Sequence, residues 1–135
     1  MILVDTSVWV RFLQNREPYR TELKTLLSQE QVLGHPLVFG ELLIGDSGGR
    51  TRVLNDYVRM EHARSAAHEE LVTLVRSRRL FGRGLGWIDI HLLASAILER
   101  VKLWTADQAL RELASEFGMA YALPAPRPLN TRHRK

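Results

Sequence analysis

The chain contains no cysteine, which removes disulfide frameworks and thiolate-bound zinc and leaves oxygen and imidazole as its metal donors. Any metal held here is expected to be a hard one. No apolar run reaches the roughly 18 residues that a membrane-spanning helix needs. The sequence opens directly on an apolar strand pattern, Met1-Ile2-Leu3-Val4, without the basic flank, apolar stretch and small-residue cleavage site of a secretory leader. A cytoplasmic location is therefore expected. Proline is also scarce: of the five in 135 residues, three follow Leu123, so almost all of the earlier chain is free to form helices and strands. Residues 1–123 read as one domain with a single core, and residues 124–135 as a basic, proline-containing tail expected to be disordered.

Charge is plentiful and uneven. Nineteen Lys and Arg against fifteen Asp and Glu give a net charge of +4 and a basic surface. Arg76, Arg78, Arg79 and Arg83 crowd the stretch before Asp89, and Arg132, His133, Arg134 and Lys135 close the chain. Such clusters either solvate helix faces or hold a polyanion. Against this basic background four acids fall at element boundaries: Asp5, Glu41, Asp89 and Asp107. An acidic pocket in a basic protein suits a ligand that brings both cations and a phosphate backbone.

Short strands alternate with helices along the chain. Ile2–Val4 reads as a buried strand that stops at Asp5, and Ser7–Leu13 as the helix after it. A second helix spans about 18–29, a second strand covers 32–34, and His35-Pro36 opens a helix that carries Glu41 and ends near Gly45. After the turn at 46–49, helices are expected at about 50–59 and 66–80, with residues 60–64 a candidate short strand. Gly82-Arg83-Gly84-Leu85-Gly86 follows a helix where a phosphate-binding loop follows a strand, so it reads as a tight turn into the helix from Trp87 to about Arg100. Strand 102–105, helix 107–117 and an edge strand at 119–122 complete the pattern. It implies a three-layer α/β/α sandwich around a mostly parallel sheet of four to five short strands.

Each acid has a plainer reading. Asp5 and Asp89 are placed to cap helices, Asp107 with Gln108 resembles a capping box, and Glu41 suits a solvated face. Taken together they point elsewhere. Asp5 and Asp107 follow strands that should be neighbours in a parallel sheet, and ligands of open α/β sheets bind at the carboxyl ends of such strands. Converging carboxylates repel one another without a counter-ion, and a hard divalent ion held by few carboxylates plus water relieves that repulsion. Mg²⁺ or Mn²⁺ is the expected cofactor.

Four segments carry a family resemblance: Val4-Asp5-Thr6-Ser7, Glu41-Leu42-Leu43-Ile44-Gly45, the stretch from Gly86 to Ala96, and Leu103-Trp104-Thr105-Ala106-Asp107. In this order they resemble PIN domains, specifically the VapC-type toxins of bacterial type II toxin–antitoxin pairs, over nearly the whole chain to about Leu123. The resemblance implies a Mg²⁺- or Mn²⁺-dependent endoribonuclease inhibited by a cognate antitoxin, and a homodimer that assembles further with that partner. It assigns catalysis to Asp5, Glu41, Asp89 and Asp107, and metal binding to Asp5, Asp89 and Asp107, with Thr6, Ser7 and Thr105 in support. Whether Asp107 would bind metal directly or through water stays open.

His91, on a helix rich in Leu and Ile, reads as a packed histidine and not as a ligand. No nucleophile-plus-base pair is evident, so water is the expected nucleophile, with products carrying 5′-phosphate and 3′-hydroxyl ends. Arg76, Arg78, Arg79 and Arg83 are candidates to hold the RNA backbone. A haloacid-dehalogenase-type phosphatase also begins strand-then-Asp, but it needs a second Asp where this chain has Ser7. A PIN-like nuclease of RNA maturation or DNA processing, and a non-catalytic PIN module, are the remaining alternatives.

Overall fold

The computed structural model describes residues 1–124, so the tail expected to be disordered lies, from residue 125 on, outside the described residues. Strand β1 (Ile2–Val4) runs into helix α1 (Thr6–Leu13), followed by α2 (Tyr19–Ser28), β2 (Val32–Leu33) and α3 (Pro36–Ile44). Then come α4 (Thr51–Arg59), α5 (His68–Arg78), α6 (Trp87–Glu99), β3 (Lys102–Trp104) and α7 (Gln108–Glu116). The three strands form one parallel sheet in the order β2-β1-β3. Ile2, Leu3 and Val4 stand opposite Lys102, Leu103 and Trp104, so β1 and β3 end side by side.

Successive residues of a strand face opposite sides of its sheet. Leu3 and Val4 are both fully buried, as nearly are Val32 and Leu33, and Leu103 and Trp104. Helices must therefore cover both faces, which is the sandwich expected from the alternation. The core is built from these strand residues together with Val8, Leu23, Val38, Leu71, Leu92, Leu93, Leu110 and Leu113, one apolar stripe from each of six helices.

Three strands are present among the described residues where four to five were expected. Residues 60–64 pair with the sheet at one point, His62 against Gly34, through Gly34 N–H to the Glu61 carbonyl (2.7 Å) and Ala63 N–H to the Gly34 carbonyl (2.8 Å). The next residue, His35, is already the N-cap of α3, so no ladder is left to extend. Residues 119–122 likewise make a single parallel bridge, Ala120 with Leu103. Beyond it Pro124 has no N–H to continue a ladder. The glycine-rich segment is a turn, with Gly82 at φ +72° and Gly84 at φ +75°. A side chain at either position would be strained.

Candidate active site

Asp5 is the first residue past β1 and is buried at 6% exposure. Its backbone occupies the N-cap of α1, but its carboxylate makes no capping bond. Instead Oδ2 accepts from the Ser7 and Thr105 hydroxyls, each at 2.7 Å. The Ser7 hydroxyl also accepts from the Ala106 N–H at 2.9 Å, and Thr105 Oγ1 from the Asp107 N–H at 3.0 Å. The loop after β3 is thereby stitched to the loop after β1, and this exists because the two strands are parallel neighbours. Capping does not explain Asp5.

For the other three acids the plainer readings hold in part. Asp107 caps α7 through Oδ2, which accepts from Leu110 N–H at 2.9 Å; Gln108 does not reach back but bonds Glu112. Asp89, in the first turn of α6, accepts the Gly86 N–H on Oδ2 at 2.8 Å. Glu41, exposed on α3, accepts the Thr6 hydroxyl on Oε1 at 2.5 Å, which links α3 to the start of α1. In all four carboxylates one oxygen is fixed by a hydrogen bond, and the other has no hydrogen-bond partner among the described residues. Neither of the side-chain ion pairs among the described residues, Arg64–Glu99 and Arg83–Glu116, involves them.

The charges of the other three acids are felt at Asp89. Burial pushes the Asp89 carboxyl above the usual carboxylate range; the Gly86 N–H opposes that, and the charges of Asp5, Asp107 and Glu41 reinforce it. No cation among the described residues pairs with any of the four. Among the described residues no three His, Asp or Glu side chains are drawn into a chelating group. The donors the four acids offer are carboxylate oxygens, the type a hard divalent ion takes.

Two cations bonded to the loops that carry the site escaped the sequence reading. Arg11 donates to the Ser7 carbonyl at 2.9 Å, and Arg111 donates to the Ala106 carbonyl at 3.3 Å. The available signal was spacing: each lies one helical turn beyond a site residue. Of the four arginines singled out beforehand, Arg83 is paired with Glu116 through both terminal nitrogens (3.1 and 2.5 Å), and Arg78 covers the Phe117 ring at 4.8 Å. Arg79 ends α5 in a left-handed conformation, and Arg76 and Arg79 are exposed. His91 is half-buried, with Nδ1 lacking a hydrogen-bond partner among the described residues, and it packs edge-on against Trp87.

An acid at the end of each of two adjacent parallel strands, with two more on flanking helices, is the arrangement of the PIN domain, and the PIN-domain family model matches residues 2–116. The chain belongs to the PIN-domain family. It is similar to Ribonuclease VapC32 of Mycobacterium tuberculosis, in both strain CDC 1551 / Oshkosh and strain ATCC 25618 / H37Rv. Each match is 40% identical over 123 residues, covering 90% of this chain and 97% of the relative.

Proposed function

We propose that the protein is a divalent-metal-dependent endoribonuclease and the toxin of a toxin–antitoxin pair. The observation that carries the reading is the set of four carboxylates, each anchored through one oxygen, three of them acting electrostatically on the fourth, Asp89, and without a cationic partner among the described residues. The 40% identity to a VapC ribonuclease supports RNA as the substrate and an antitoxin as the partner.

Asp5, Asp89 and Asp107 would hold Mg²⁺ or Mn²⁺. When bound, the ion lowers the pKa of water and offsets charge on the phosphoryl oxygens. The chain's own residues do the rest. Ser7 and Thr105 fix the Asp5 carboxylate by donating to its Oδ2. Thr6 holds Glu41 at the mouth, where its open oxygen orients water against the phosphate. Glu41 is exposed and its charge is felt at Asp89, which places it on the solvent side of the site. Arg11 and Arg111 supply positive charge beside the loops that carry the site, where the phosphate backbone would pass.

Cleavage of RNA with accessible loops is expected in Mg²⁺ or Mn²⁺, to stop on addition of EDTA, and to leave 5′-phosphate and 3′-hydroxyl ends. End-labelled fragments report this directly. Cleavage that persists in excess EDTA, or fragments with cyclic phosphate ends, rejects the mechanism. Slowed growth on expression of the chain alone, relieved by a copurifying small protein, is the expected sign of the toxin role.

A further inference from the structure

Trp9 and Trp104 are buried at 3% exposure, whereas Trp87 leaves 43% of its surface in solvent at the first position of α6. Its ring is nonetheless held. His91 meets it edge-on at 5.8 Å and 89°, and His68 lies tilted against it at 5.7 Å and 56°. Beside it is a cavity of about 130 Å³ lined by Val75, Leu80, Phe81, Leu85, Trp87 and Ile90. Phe81, at 62% exposure, is a second open aromatic in that wall. Gly86 also lines the cavity, and its N–H is the group that Asp89 accepts, so the apolar wall and the acidic site share a residue.

Accordingly, we propose that this pocket binds one unpaired nucleobase of the RNA, stacked on Trp87, and so makes Trp87 a determinant of where the strand is cut. The proposal rests on the nuclease reading above. A single-stranded RNA whose phosphate lies at the carboxylates must place a neighbouring base close by, and unstacked bases are recognised by aromatic faces. The charge around the pocket suits that occupant: exposed Arg76 and Arg79 flank Val75 and Leu80 in sequence, and no acid lines the cavity. A ring fixed by two imidazoles loses little freedom when a base lands on it.

The test uses the full chain with Ca²⁺ to offset the carboxylate charge and short dye-labelled single-stranded RNA homopolymers as probes. Anisotropy of the label reads affinity for every variant, and tryptophan fluorescence is a second readout for the parent. Binding by the parent is expected to quench fluorescence, since Trp87 is the exposed tryptophan. Trp87→Ala should bind roughly 5- to 100-fold more weakly, and Trp87→Phe should recover most of the loss. An abasic nucleotide scanned along the best probe should weaken parent binding at one position and leave Trp87→Ala unaffected there. Equal binding by Trp87→Ala and parent, or a flat abasic scan, overturns the proposal. So does a Trp87→Ala variant that loses only antitoxin affinity, because the pocket would then serve the protein partner. A parent that cleaves RNA with metal but gives a flat scan rejects the base pocket alone. A parent that shows the coupling yet never cleaves rejects the nuclease reading alone.

Discussion

Asp89 is where the competing readings of a single side chain meet, because it both ties down the start of α6 and carries the repulsion of three other acids. A carboxyl whose folded-state pKa is raised gives stability that is present below its unfolded value and lost as pH rises through the folded one. Metal-free Asp89→Asn keeps an acceptor for the Gly86 N–H and loses the charge. It is therefore expected to melt above the parent at pH 7, by a margin that shrinks as the pH is lowered. Asp89→Ala loses the acceptor too and should fall about 1 kcal/mol below the Asn variant. Both variants should lose cleavage and the stabilisation that Mg²⁺ gives the parent by binding its native state. Melts of the three proteins with and without Mg²⁺ check this, and an Asn variant no more stable than the parent removes the repulsion argument. At this scale the acids were legible because each ends an apolar run or interrupts one. Their partners were legible only in part. Ser7 and Thr105 stand beside Asp5 and Asp107 in sequence, but the Thr6–Glu41 bond depends on how α1 and α3 pack, and no spacing encodes that.

Between elements, a buried polar cluster sets the helix that carries Glu41 against the helix that carries Asp89. His35, at 0% exposure, accepts the Leu37 N–H on Nδ1 at 3.1 Å, which caps α3, and its Nε2 meets Ser95 of α6 at 2.9 Å. The Tyr57 hydroxyl of α4 accepts the His35 N–H at 2.8 Å. Nδ1 is an acceptor here, so Nε2 carries the proton and donates to Ser95. Burial, helped by the charges of His91 and His62, lowers the His35 pKa to about 4. A depressed folded pKa gives stability that is present above the unfolded value of 6.5 and is lost as pH falls toward 4. The stability difference between parent and His35→Gln should shrink over that window by about 3 kcal/mol. Denaturant titrations at several pH values measure it, and a difference that stays constant from pH 7 to 4 contradicts a neutral buried His35. Element order and the parallel sheet followed from hydrophobic runs alone. The two missing strands did not, because residues 60–64 and 119–122 have strand-like composition but find a partner only one residue long.

For the molecule as a whole, net positive charge and an acidic cluster are properties of one chain, and only the first can be read by counting residues. The cluster comes from topology, since the loops that carry Asp5 and Asp107 are brought together because β1 pairs with β3. A chain ending at Arg100 would lose β3 and α7, and with them Leu103, Trp104, Leu110 and Leu113 from the core. It is expected to show no cooperative melt by far-UV circular dichroism, and a sharp transition in that fragment would contradict the dependence of β1 on its neighbour. The same adjacency sets a clock during synthesis. At roughly 5–20 residues per second, Glu41 leaves the ribosome several seconds before Asp107. Throughout that interval the nascent chain carries three of its acids or fewer and has no partner strand to gather them. The proposed activity against RNA would thus stay unassembled until β3 and the loop carrying Asp107 have emerged.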